Sequence, residues 1–227
     1  MRIRLLRLVV LLAVATPACA EDAPRVPEPP VPAELAGAGV VYHTISGREA
    51  QATFTSDAPI EDIVGKSNAV VGYAVAAAGS TPAALLGGEW LLPVESLATG
   101  IPLRDEHMAG SEWLDAGRFP VIRFRLTTVE DLKLLKEGDG FSTWSATLVG
   151  ELTMHGETHP LRVADSRLSF VKASERTASI ASGDLLLIKC AYTVKLSEFG
   201  IHHKDVPSKV SDEISLSQLL RLSTAGN

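Results

Sequence analysis

From Val40 onward the chain alternates apolar and polar residues with a period of two, and the apolar positions are rich in β-branched and aromatic side chains. In 121–129, Ile122, Phe124 and Leu126 fall on one face, with Arg123, Arg125 and Thr127 on the other. In 141–154, Trp144, Ala146, Leu148, Gly150, Leu152 and Met154 share a face opposite Ser145, Thr147, Glu151 and Thr153. Later, Leu186, Ile188, Cys190, Tyr192, Val194 and Leu196 form one stripe. Ile214, Leu216, Leu220 and Leu222 form another, interrupted by Gln218. Long strands with one wet face predict an antiparallel sheet. Several in succession close best as a barrel of about eight strands, because closure removes exposed edges. A sandwich would show the same alternation.

Helix is scarce in this pattern. Ser111 reads as an N-cap, with Glu112 in the first turn and Gly117 ending a short helix. Trp113 and Leu114 would then face the core. The stretch 74–86 is broken by Gly79, Ser80, Thr81 and Pro82, and reads as strand, loop and a helical turn. The overall expectation is a mainly β, antiparallel barrel with one or two short helices.

The beginning of the chain reads differently. Arg2, Arg4 and Arg7 precede an apolar run from Leu8 to Ala15, then Pro17 and the small-residue stretch Ala18-Cys19-Ala20. This is the pattern of a cleavable export leader over 1–20, and the run is shorter than the ~20 residues of a spanning helix. Acylation of Cys19 is the alternative; Thr16 and Pro17 suit such a site poorly. Residues 21–39 carry Pro24, Pro27, Pro29, Pro30 and Pro32, which favour an extended tether over a packed helix. Residues 40–227 then form one domain.

Without residues 1–20 the chain holds 18 basic and 27 acidic residues, a formal net charge of −9. That sign argues against nucleic acid as a partner, since phosphate binding needs a basic face. Cys190 would be the one cysteine left, so no internal disulfide can form. It lies in an apolar stripe, where burial makes a thiol inert rather than nucleophilic. His155 and His159 flank Gly156 in a hairpin pattern, His202 and His203 are adjacent, and neither pair has the partners of a metal site. No Gly-x-Ser-x-Gly elbow or phosphate-binding glycine loop is present. The sequence therefore displays no enzymatic machinery, cofactor motif or metal motif.

Three blocks, in order, resemble the YceI-like family of bacterial periplasmic proteins. The first is Arg104, Asp105, His107 and Met108, then Trp113, the pair Phe119-Pro120, and Ile122 and Phe124. The second is Gly150, Leu152, Thr153 and Gly156, followed by Thr158 and Pro160. The third is Ser197-Glu198-Phe199-Gly200, with Asp212, Glu213 and the strand from Ile214. Leu196 departs from the pattern, which has an Arg there. The resemblance covers residues 40–223.

The resemblance implies a lipocalin-like barrel in the periplasm. It would enclose a polyisoprenoid or similar long-chain lipid, such as a prenyl quinone, for transport, storage or scavenging without catalysis. Fatty acids or their amides are the alternative ligands. A structural or envelope-stress barrel with a filled core is the alternative without a ligand. Given a cavity, Phe124, Leu126, Trp144, Leu148, Leu152, Ile188 and Tyr192 are the expected lining. Arg104, Asp105 and His107 have two readings: an ion-paired clamp at the barrel rim, or a contact for the polar end of the ligand. Transient contact with a membrane would accompany lipid exchange.

Overall fold

A computed structural model describes residues 26–45, 49–79 and 81–226. The leader and the first residues of the tether lie outside that range.

Alternation appears as ten strands: β1 (Gly39–Thr44), β2 (Ala52–Asp57), β3 (Asp62–Ser67), β4 (Val71–Ala77), β5 (Leu85–Pro93), β6 (Val121–Gly138), β7 (Phe141–Met154), β8 (Glu157–Val171), β9 (Leu185–Lys195) and β10 (Glu213–Ser223). The order β1-β4-β5-β6-β7-β8-β9-β10, with a further β1–β10 pairing, closes eight antiparallel strands into a barrel. β1 and β2 lie along the same edge of β10, against residues 222–223 and 214–218 respectively, and behave as one interrupted strand. Gln51 spans the break. Its amide donates to the Val70 carbonyl at 3.2 Å and the Ile45 carbonyl at 3.5 Å, and accepts the Val70 N–H at 2.8 Å. β3, paired with β2, continues the sheet beyond the ring.

The two α-helices among the described residues are short. α1 (Ala33–Ala38) forms within the segment read as a tether, where the prolines stop. Pro32 is its N-cap, and the Pro32 carbonyl takes the N–H groups of Leu35 and Ala36 at 3.0 Å each. α2 (Pro102–Ala109) lies before Ser111, so the helix expected from Ser111 to Gly117 is displaced. Pro102 presets the first helical turn without sacrificing a needed donor. After Gly110 the chain turns instead of continuing, since the Gly110 carbonyl accepts from Trp113 and Asp115 and Asp115 adopts φ +46°. Residues 81–84, read as a helical turn, form instead a turn closed by the Ala84 N–H on the Thr81 carbonyl.

Three neighbouring strands bend at the same level. Asp131 in β6 and Asp165 in β8 both have φ +53°, and the β7 register shifts between Ala146 and Leu148. The Thr147 hydroxyl on β7 donates to the Asp131 carboxylate at 2.9 Å, fixing the bend. β8 pairs with β9 only through residues 167–171. Side chains nearest that end, among them Leu148, Leu168, Leu186, Ile188, Leu220 and Leu222, are at most 1% exposed and form a solid core. The interior is thus filled at one end of the barrel, and the other end carries the site.

Candidate functional site

The unfilled half opens where β2 ends, β6 begins, β9 ends and β10 begins. It encloses a cavity of about 390 Å³, a volume within the usual range for small-molecule sites. Leu92, Ile122 and Met154 form one wall from β5, β6 and β7, with Leu92 and Ile122 paired in register. Phe54 and Leu216 face them from β2 and β10, paired in register. Phe54 owes its position to Gly65 on β3, because a Cβ there would stand 2.1 Å from the Phe54 ring. Met108, Trp113 and Leu114 close the wall from α2 and the turn after it.

The mouth is polar and internally paired. Arg104 on α2 bonds Glu61 in the β2–β3 turn. Lys209 pairs with Asp205 at 3.4 Å in the 201–210 loop. The Ile60 N–H reaches the Ser208 carbonyl at 3.2 Å, so turn, helix and loop converge on one opening. Ile101 and Leu103 line the cavity and are also 47% and 61% exposed, so apolar surface runs unbroken from inside to outside.

The expected rim residues divide. Arg104 and His107 line the cavity. Asp105 does not; its carboxylate accepts the Thr99 N–H at 2.8 Å and the Thr99 hydroxyl at 2.6 Å, bracing the turn into α2. The expected lining residues lie deeper. Phe124, Leu126, Leu148, Leu152 and Ile188 are packed in the core. Trp144 and Tyr192 are half-buried against it, with the Trp144 indole donating to the Ser142 hydroxyl at 3.1 Å. Alternation identifies the inward face correctly but carries no information about depth along the barrel axis. The lining comes from the same stripes, nearer the mouth: Ile122 rather than Phe124, Met154 rather than Leu152, Val194 and Leu196 rather than Ile188. Leu196, where the family pattern has an Arg, thus contributes apolar wall.

Behind Trp113 and Ile201 a second, shallower groove holds His155, His202 and His203. His203 stacks on Trp113 with ring centroids 4.3 Å apart and stands 3.7 Å from both Glu112 and Asp205. His155 meets the Phe199 carbonyl at 3.0 Å, and the His159 ring packs edge-on against Phe199. These histidines hold the Leu196–Phe199 turn and the adjoining loop. Among the described residues no group of three or more His, Cys, Asp or Glu is placed to hold a metal ion. Cys190 is buried, and burial pushes its thiol up to about 12.

A closed antiparallel barrel, solid at one end and hollow and apolar at the other, defines a lipocalin-like fold. Residues 43–221 match the YceI-like domain, and the chain belongs to that family. It is similar to a UPF0312 protein of Vibrio vulnificus, 32% identical over 74 residues, a stretch covering 33% of this chain and 34% of that protein. The match therefore spans about a third of that relative's length. Among solved structures it resembles BcnA of Burkholderia cenocepacia, with TM-score 0.56, 14% identity, and coverage of 83% of this chain and 98% of that one. A polyisoprenoid binding domain from Saccharophagus degradans has TM-score 0.52, 12% identity, and coverage of 82% and 98%. The YceI protein of Campylobacter jejuni has TM-score 0.52, 16% identity, and coverage of 71% and 84%. At these identities the likeness concerns the fold.

Proposed function

We propose that this protein is an exported lipid-binding barrel that encloses one long-chain lipid, of the polyisoprenoid class, and carries or stores it in the periplasm without chemical change. The observation that carries the reading is the apolar cavity of about 390 Å³, open at one end. A chain buried there gains about 0.8 kcal/mol per CH₂, so binding needs few polar contacts. The Saccharophagus degradans domain named for polyisoprenoid binding shares the fold, which supports the ligand class. Export rests on the leader pattern of residues 1–20, with cleavage after Ala20. Fatty acids and their amides compete for the same space on the same physics.

The test is native mass spectrometry of protein purified from its own host, with organic extraction of whatever co-purifies. A bound prenyl lipid is the expected result. A bound fatty acid or amide would replace the polyisoprenoid with that class. Protein that stays empty after exposure to each would overturn the reading and favour a structural barrel.

A further inference from the structure

Exposed apolar side chains gather around the mouth of the cavity. Ile60, in the turn between β2 and β3, is 69% exposed. Ile101 and Leu103, at the start of α2, are exposed as well. The Arg104–Glu61 pair joins the two segments, since Glu61 follows Ile60 in the chain and Arg104 follows Leu103. The Ile60 N–H on the Ser208 carbonyl holds the same turn against the 201–210 loop. The turn is thus anchored on two sides while the Ile60 side chain stays in water.

A single exposed isoleucine needs no explanation. Three apolar side chains around one opening do, because Ile101 and Leu103 also carry the cavity lining outward. Together the three present roughly 300 Å² of surface, well short of the ~800 Å² per partner that a stable protein complex buries. A second protein would gain little there. A bilayer asks for less, because apolar side chains enter its headgroup region one by one, without a complementary surface. The ligand has its own reason to meet a bilayer at this point. Each CH₂ exposed to water costs about 0.8 kcal/mol, so a long chain leaves far faster into a membrane than into solvent.

Charge selects the kind of bilayer. The cations at the mouth are already engaged, Arg104 by Glu61 and Lys209 by Asp205. Asp57 and Asp62 are register partners at the ends of β2 and β3, on either side of the Ile60 turn, and both are exposed. Glu106 on α2 is exposed too. Lys204 and Glu112 lie farther round, at the histidine groove, and are opposite in sign. The rim therefore offers carboxylates, which an anionic surface repels and outward-facing ammonium groups attract.

We propose that the mouth is a membrane-docking face. Ile60, Ile101 and Leu103 enter the headgroup region of a zwitterionic phospholipid bilayer, and Asp57, Asp62 and Glu106 meet its ammonium groups. The cavity then opens onto the bilayer, and the ligand passes without crossing water. The inference rests on the lipid-binding reading above and adds where the lipid is exchanged.

The test is co-sedimentation with vesicles of phosphatidylcholine or of phosphatidylglycerol, for the unmodified protein and its Ile60→Asp and Ile180→Asp variants. Ile60 stands outside the cavity lining. Ile180 is 53% exposed between β8 and β9 at the filled end, so it takes the same substitution away from the mouth. Phosphatidylcholine vesicles should bind the unmodified protein, Ile60→Asp at least about fivefold more weakly, and Ile180→Asp within about twofold of the unmodified protein. Phosphatidylglycerol vesicles should bind the unmodified protein less than phosphatidylcholine vesicles do. Cavity affinity is read separately, without vesicles, from a fluorescent reporter, anilinonaphthalene sulfonate, and should be the same in all three proteins. No binding to phosphatidylcholine, equal losses in the two variants, or stronger binding to phosphatidylglycerol would overturn the docking face. Reporter binding lost in Ile60→Asp would overturn it too, by making Ile60 part of the cavity wall. Reporter binding retained by the unmodified protein leaves the lipid-binding reading standing in each of these cases; its absence there removes both.

Discussion

Ile188 shows what a single side chain does in the solid half of this barrel. It is fully buried and shares its inward stripe with Leu186 and Cys190. Removing it leaves a void that neighbouring strands cannot close, so Ile188→Ala should cost about 2–5 kcal/mol in urea unfolding. A loss below ~1 kcal/mol would mean that the site is not packed. Two and four positions along, Cys190 and Tyr192 report burial through pH. Burial raises the Cys190 thiol from 9.0 to about 12 and pushes the Tyr192 phenol up as well. The unfolded chain therefore releases these protons at a lower pH than the folded chain does. Stability should be flat through neutral pH and fall above about pH 9, by up to ~1.4 kcal/mol per pH unit for each titrating group, until the folded groups ionise. Cys190→Ala should shallow that decline between pH 9 and 12; an unchanged slope would contradict the burial assigned to the thiol.

Elements inherit their shape from a few such residues. Asp165 holds φ +53° at the β8 bend, a conformation that Asp adopts tolerably, Gly freely and β-branched residues poorly. Asp165→Gly should be close to neutral, whereas Asp165→Val should lose about 1–2 kcal/mol; thermal denaturation of the pair, one against the other, isolates the backbone effect from the lost carboxylate. α2 makes the contrasting case. Its Arg104–Glu61 pair is partly exposed, with side-chain accessibilities of 26% and 42%, so Arg104→Ala should reduce global stability by less than ~1 kcal/mol. Hydrogen exchange should nevertheless quicken in α2, because that pair ties it to the β2–β3 turn. Cooperative unfolding of Arg104→Ala would show that the mouth and the barrel are one unit. The strands were legible because period-two alternation is a direct consequence of one buried face. Stripes such as Leu186 to Leu196 fall on the inward side as read. The placement of α2 was not legible in the same way. Ser111 resembles a cap as much as Ile101 does not, and only the turn bonds around Gly110 decide between them.

At the scale of the molecule, the barrel separates stability from binding along its axis. Closure fixes which side chains point inward but leaves open how much of the interior they fill; that depends on the volume each contributes at a given level. This is why Phe124, Leu148 and Ile188, equivalent by alternation to the lining residues Ile122, Met154 and Val194, belong to the solid half instead. The separation predicts opposite responses to the same added bulk. Leu216 lines the hollow and is incompletely buried, so Leu216→Trp has room to turn into empty space. Its unfolding midpoint should stay near that of the unmodified protein while reporter binding falls at least tenfold. Leu148 is 1% exposed amid tightly packed neighbours, so Leu148→Trp must displace them, at about 1–3 kcal/mol or more. Any Leu148→Trp protein that remains folded should still bind the reporter, because the cavity lies in the other half. Denaturation and reporter titration of the two variants side by side measure both quantities. Loss of stability in Leu216→Trp with binding intact would mean that the half assigned here to the ligand is instead part of the core.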